Sequence, residues 1–261
     1  MRLGRIISDW SINGFNMALN QELESVEFCC NDEKDALSFI SRKEEILDSM
    51  KKTGLPISSI GRWNHDVQVN GRLSPERMKS YIALLDTALE LRANTFTCGI
   101  NYDETISLYR NYCNAVEFFG ALTERAKGKD IKVAVQNCDW NNFVVSPEHW
   151  NIILGENKDL CLKFDASHTY NRGDDYLVEL SDWCERVAHV HIKGTVHAGK
   201  RDVDDPPAGM DDIRWSSIFA ILYARGYDGD LSIEPHSRAW IGERAKAGVI
   251  YTRDFIRKFL V

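Results

Sequence analysis

Four short apolar segments in the second half of the chain end on residues that can bind a cation or move a proton. They are Val133-Ala134-Val135-Gln136-Asn137, Leu162-Lys163-Phe164-Asp165, His189-Val190-His191-Ile192-Lys193 and Ser232-Ile233-Glu234-Pro235. Read as strands, their side chains alternate between two faces. Val190 and Ile192 then share one face, and His189, His191 and Lys193 share the other. By the same rule Gln136, Asp165 and Glu234 oppose Val135, Phe164 and Ile233. If the apolar face packs on helices, Gln136, Asp165, His191 and Glu234 turn toward one interior. One imidazole, two carboxylates and an amide oxygen suit a single divalent cation, Mn²⁺ first, with Mg²⁺, Co²⁺ or Zn²⁺ as alternatives. Unpaired charges are costly to bury, and one cation accounts for all four strand ends together. Singly, each has another use. Asp165 can cap the next helix, Glu234 can pair with Lys193, and an inward His can be a hydrogen-bonded core residue.

Those strand ends need a frame to bring them together. Short apolar runs recur at Leu3–Ile7, Ser25–Cys30, Pro56–Ile60, Thr95–Ile100, Lys132–Asn137, Leu160–Asp165, Ala188–Lys193 and Leu231–Glu234, each bounded by turn residues or charges as in buried parallel strands. Helical patterns lie between them: Asn13–Leu23, Asp35–Lys52, Ser74–Leu91, Asp103–Lys127, Trp150–Leu154, Trp215–Arg225 and Glu243–Phe259. Ser74-Pro75-Glu76 and Ser146-Pro147-Glu148 each give an N-cap followed by proline at the first helical position. Repeating strand–helix units in about 250 residues predict the α/β class and one (β/α)8 TIM barrel spanning residues 1–261 as a single domain. An open doubly wound sheet would carry a glycine-rich phosphate loop after its first strand. Here that strand runs into Asp9-Trp10-Ser11-Ile12-Asn13-Gly14. In a barrel, chemistry belongs at the C-terminal ends of the strands.

Composition narrows the partners. With 261 residues and 44% apolar content the chain can bury a sizeable core, and no apolar run reaches the roughly 18 residues of a membrane helix. The first residues lack the apolar core of a signal peptide. A formal charge of −7 argues against a nucleic-acid partner. The 7 cysteines form no CxxC pair and read as reduced thiols, so a cytoplasmic address is expected. The sequence leaves a homo-oligomer open.

Phe164-Asp165-Ala166-Ser167-His168, His189-Val190-His191-Ile192-Lys193 and Ile233-Glu234-Pro235 resemble the sugar phosphate isomerase/epimerase family, within the xylose isomerase-like TIM barrel superfamily. Pro206-Pro207-Ala208-Gly209-Met210, followed by Asp212-Ile213-Arg214-Trp215, looks like its loop after strand seven. The motifs cover about residues 130–261, and the first half matches by strand–helix rhythm only. The resemblance implies metal ligands on strands five to eight, at Gln136, Asp165, His191 and Glu234, and a substrate-binding His168. It implies carbohydrate metabolism, a small sugar or keto-sugar substrate, and proton abstraction beside a carbonyl through an enediolate.

One position departs from the family pattern, which has Glu where this chain has Gln136. An amide can bind a cation through its oxygen but cannot act as a base near neutral pH. A symmetric pair of glutamate bases is therefore not expected, and Glu234 stands as the single base. His168, Lys193 or His65 can move the second proton. One base with a separate acid fits isomerisation or epimerisation. It also fits the alternative, a metal-dependent lyase or dehydratase eliminating from a keto sugar or inosose. A zinc phosphodiesterase ranks lower, for want of histidines and a basic cleft. A barrel that binds sugar without turnover is the non-enzymatic alternative. Trp63, His65, Trp140 and Asn142 are the expected sugar-binding walls, since aromatic faces and amides suit a polyol.

Overall fold

The computed structural model describes residues 1–261 and contains a closed barrel of eight parallel strands. They are β1 (Arg2–Ile7), β2 (Ser25–Cys30), β3 (Ile57–Arg62), β4 (Thr95–Cys98), β5 (Lys132–Gln136), β6 (Cys161–Asp165), β7 (Val187–Ile192) and β8 (Asp230–Ile233). Each strand pairs with its sequence neighbours, and β1 closes the ring on β8. All eight expected strands are present, each with its bounds shifted by two residues or fewer.

The helices wrap the barrel as α1 (Ile12–Asn20), α2 (Glu33–Ser41), α3 (Lys43–Thr53), α4 (Pro75–Glu90), α5 (Leu108–Ala126), α6 (Pro147–Glu156), α7 (Ala166–Arg172), α8 (Tyr176–Trp183), α9 (Trp215–Ala224) and α10 (Glu243–Arg257). Ser74 caps α4 by accepting from Arg77 N–H, as the Ser-Pro-Glu signature predicts. Three helical expectations need correction. Residues 35–52 form two helices broken at Arg42, so that Phe39 and Ile46 both reach the core fully buried. Asp103 does not open α5. Its carboxylate closes a turn by accepting from Thr105 and Gly71, and Ser107 caps the helix instead. The pair α7 and α8 after β6 had no counterpart in the periodicity. Its signals are short-range: Asp165 and Asp175 as caps, and Gly173 in the left-handed region at φ 86°.

Outward-facing Val26, Phe28, Phe96, Val133, Val135, Phe164, Val190 and Ile192 belong to one large core under the helices. The barrel axis is more polar than the layered aliphatic filling of most such barrels. Ser58, Lys163, His189, His191 and Ser232 are all buried there, as is Glu27. Gly4 lets β1 and β2 close. A Cβ at that position would overlap Ser25 Oγ and lie 2.5 Å from the Ser25 carbonyl oxygen. Gly4→Ala is expected to cost about 1–3 kcal/mol through overpacking. Thermal unfolding checks this, at about 2–4 °C for each kcal/mol in a chain of this size.

Candidate active site at the barrel mouth

A cavity of about 400 Å³ opens at the C-terminal ends of the strands and is lined by Trp63, Trp140, Gln136, Lys163, His168, Lys193 and Glu234, among others. Glu234, which lines it, and the buried Asp165 and His191 bring one ligand atom each to within 4.8 Å of one another. The register explains the convergence: Asp165 on β6 is the Cα partner of His191 on β7, which is itself the partner of Ser232 two residues before Glu234.

The two oxygens of Asp165 differ in their surroundings. Its Oδ1 caps α7, accepting from Ser167 N–H at 2.9 Å and from the Ser167 hydroxyl at 2.7 Å. Its Oδ2 is buried with no hydrogen-bond partner. Around that oxygen stand His168 Nε2 at 3.6 Å, Lys163 Nζ at 3.9 Å and His191 Nδ1 at 3.9 Å. A buried carboxylate oxygen with no hydrogen-bond donor fits the role of a cation ligand.

His191 is held from behind. Its Nε2 lies 2.9 Å from Glu27 Oε1, which orients the ring so that Nδ1 faces Glu234 Oε2 at 3.0 Å and the Asp165 carboxylate. With Nε2 donating to Glu27, a cation could take the Nδ1 lone pair in place of the proton that meets Glu234, as in a carboxylate–histidine–metal relay. Glu27 also takes His189 Nε2 at 2.8 Å. Sequence reasoning missed Glu27. The signal was the same alternation: Val26 and Phe28 face the helices, so the acid between them must face the axis. The donor set Asp165, His191 Nδ1 and Glu234 therefore fits a divalent cation.

The electrostatics are those of a crowded, dry site. Burial raises the Glu234 carboxyl, but Lys193 and His191 override it and hold the group well below the ordinary glutamate range. Burial likewise opposes charge on Lys193, yet Glu234 and Asp165 keep its ammonium above the ordinary lysine value. Burial pushes the His168 imidazole down to about 4, so it is neutral at physiological pH. His65 is pushed down to about 3 by burial, with Arg62 adding to the effect.

The expected sugar walls divide. Trp63, Trp140 and His168 line the cavity, and Trp63 packs its edge on His191 with ring centres 5.9 Å apart. His65 and Asn142 do not reach it. His65 is fully buried, taking Gly99 N–H on Nδ1 at 3.0 Å and meeting the Gln136 amide with Nε2 at 2.6 Å. Asn142 is spent on backbone, donating to the Gln136 and Cys138 carbonyls and accepting from Ile100 and Val144. Both fix the loops behind the wall. Gln136 lines the cavity, with Oε1 buried and unpartnered.

An eight-stranded parallel barrel with its polar cluster at the strand C-termini defines the architectural class. The profile of the xylose isomerase-like TIM barrel family matches residues 17–259, and the chain belongs to that family. Similar solved structures include D-psicose 3-epimerase from Clostridium cellulolyticum H10, at TM-score 0.80 and 15% identity, covering 100% of this chain and 99% of that one. The 3-keto-D-glucoside 4-epimerase YcjR from E. coli aligns at TM-score 0.76 and 16% identity, over 97% and 99% of the two chains. An L-ribulose 3-epimerase aligns at 0.74 and 16%, over 99% and 94%. A sequence search of curated proteins gave no match. No helix is long and apolar enough to cross a membrane.

Proposed function

We propose that the protein is a divalent-cation-dependent sugar isomerase or epimerase that removes a proton from the carbon beside a carbonyl. The convergence of Asp165 and His191 with Glu234, which lines a cavity that also has Trp63 and Trp140 in its walls, carries this reading. Structural likeness to three sugar epimerases supports the substrate class and favours isomerisation or epimerisation over elimination. Asp165, His191 and Glu234 would hold the cation, Mn²⁺ in the first place, and when bound it would supply Lewis-acid polarisation of the substrate carbonyl. Glu234 is the base, because 19% of its side chain is exposed to the cavity whereas Asp165 has none exposed. Lys193, kept protonated, donates to the oxygen on which charge develops. His168 holds a substrate hydroxyl and relays the second proton. Trp63 and Trp140 supply apolar walls.

The test is solvent-deuterium incorporation with Mn²⁺ in D₂O. The substrates are D-psicose, D-tagatose, L-ribulose and a 3-keto glucoside, each with its sugar-acid counterpart. Exchange of one carbon-bound proton, lost on chelation, is expected for at least one of them. No exchange in the whole panel at saturating Mn²⁺ overturns the reading, and an unsaturated product reassigns it to elimination. His168→Ala is expected to lower kcat/KM about tenfold or more, as for loss of a substrate hydrogen bond. Mn²⁺ binding, followed by calorimetry, stays within twofold of wild type.

A further inference from the structure

Hydrogen-bond donors and acceptors around Gln136 fix which way its amide points. Gly99 N–H donates to His65 Nδ1 at 3.0 Å, so that nitrogen carries a lone pair. A histidine ring in proteins keeps at least one N–H, so Nε2 carries the proton. This N–H meets the Gln136 amide at 2.6 Å. With the amide nitrogen on that side, two donors oppose each other while Oε1 is buried and unpaired. Turned over by 180°, the amide accepts from His65 Nε2–H through Oε1 and presents its NH₂ to the cavity. In this orientation Gln136 offers a donor, which argues against the expectation that it binds the cation through its oxygen.

The neighbouring charges show what that donor meets. Gln136 on β5 and Lys163 on β6 are Cα partners, and both line the cavity with Lys193. The Lys163 ammonium is buried 5.1 Å from the Trp63 ring centre, and Asp165 lies 3.9 Å from it. Lys193 has Asp205 Oδ2 at 4.0 Å, an oxygen it shares with His236 at 2.8 Å, while Asp205 Oδ1 is buried without a hydrogen-bond partner. With a divalent cation held by Asp165 and Glu234, Lys193 would keep only Asp205, at 4.0 Å, and Lys163 would share its one carboxylate, Asp165, with the cation. Buried positive charge favours an anion, which a sugar carboxylate brings on binding and a neutral ketose only once its proton has been removed. We propose that Gln136 NH₂, Lys163 and Lys193 form a receptor for a substrate carboxylate, so that the enzyme acts on a polyhydroxy keto acid rather than a neutral sugar. A carboxylate can accept from the amide and both ammonium groups, and charge-assisted bonds of this kind are the strong ones. The substrate class rests on the function proposed above, whereas the amide orientation does not.

Two measurements test the orientation without turnover. In ¹⁵N-histidine-labelled protein, with the His65 signal assigned from its loss in His65→Asn, the Nε2–H tautomer is expected. The Nδ1–H tautomer overturns the proposal. Gln136→Met removes both donor and oxygen at similar length. Its Mn²⁺ affinity is expected within twofold of wild type, whereas a tenfold loss would make Gln136 a ligand and overturn the donor reading. For the substrate class, D-gluconate and D-glucitol are titrated into Mn²⁺-loaded protein. Gluconate is expected to bind at least tenfold tighter, with the preference lost in Lys163→Met and reduced in Gln136→Met. Equal affinities, or tighter binding of inorganic phosphate than of gluconate, overturn the carboxylate receptor. If gluconate binds as expected but no sugar or sugar acid exchanges deuterium, the functional reading fails and the receptor stands.

Discussion

Glu234→Gln is expected to lower kcat by about 10³-fold or more, with the fold intact. Positioned general bases contribute typically 10²–10⁴-fold, and this one is also a cation ligand. The substitution keeps the length and an oxygen opposite His191 Nδ1, which lies 3.0 Å from Glu234 in the native site. It removes the only carboxylate of the three-residue cluster that is open to the cavity, since Asp165 and His191 are fully buried there. Cation affinity should fall as well, because one anionic ligand becomes neutral. The two effects are separated by measuring kcat at Mn²⁺ concentrations that saturate the variant, with occupancy followed by calorimetry. Near-native kcat under those conditions would remove Glu234 from the role of base. Circular dichroism and an unfolding midpoint within a few degrees of wild type establish that the loss is chemical.

In the second half of the chain the candidate site was legible from a single rule. Period-two alternation turns His191, Asp165 and Glu234 inward because Val190, Ile192, Phe164 and Ile233 must face the helices, and the buried strands obey it. The same rule applies to Glu27, between Val26 and Phe28, yet nothing in its own segment says what it meets. Its partners His189 and His191 are more than 160 residues away, and only barrel closure brings them together. His65 and Asn142 are polar residues in loops after strands, which makes them legible as site residues. Their burial comes from backbone groups of Gly99, Ile100 and Val144, which no side-chain pattern reveals. The helices α7 and α8 escaped for a different reason. At 7 and 8 residues they are too short for a 3.6-residue period to show, and their caps alone mark them.

Glu27→Ala is expected to damage stability and cation binding together, although Glu27 touches neither solvent nor the cavity. The carboxylate is fully buried and takes two imidazole N–H groups, at 2.8 Å from His189 and 2.9 Å from His191. Burial opposes its charge, but the two imidazoles override that cost and hold the carboxyl below the ordinary glutamate range. Removing it strands two buried donors, and breaking a buried pair of this kind costs about 3–5 kcal/mol. At about 2–4 °C for each kcal/mol, the unfolding midpoint should fall by roughly 6–20 °C. The His191 ring also loses the partner that fixes its tautomer, so Mn²⁺ affinity should weaken about 10–100-fold, the usual effect of removing such a partner. Glu27→Gln separates the two losses. An amide oxygen still accepts from one ring, but its NH₂ opposes the other, so part of the stability returns while His191 remains misoriented. Calorimetric Mn²⁺ titration of the two variants, alongside their unfolding midpoints, reads both quantities. Native cation affinity in folded Glu27→Gln would reduce Glu27 to a packing role. A weakened affinity in a protein that has regained stability would show that the barrel axis, and not only its rim, sets the chemistry of the site.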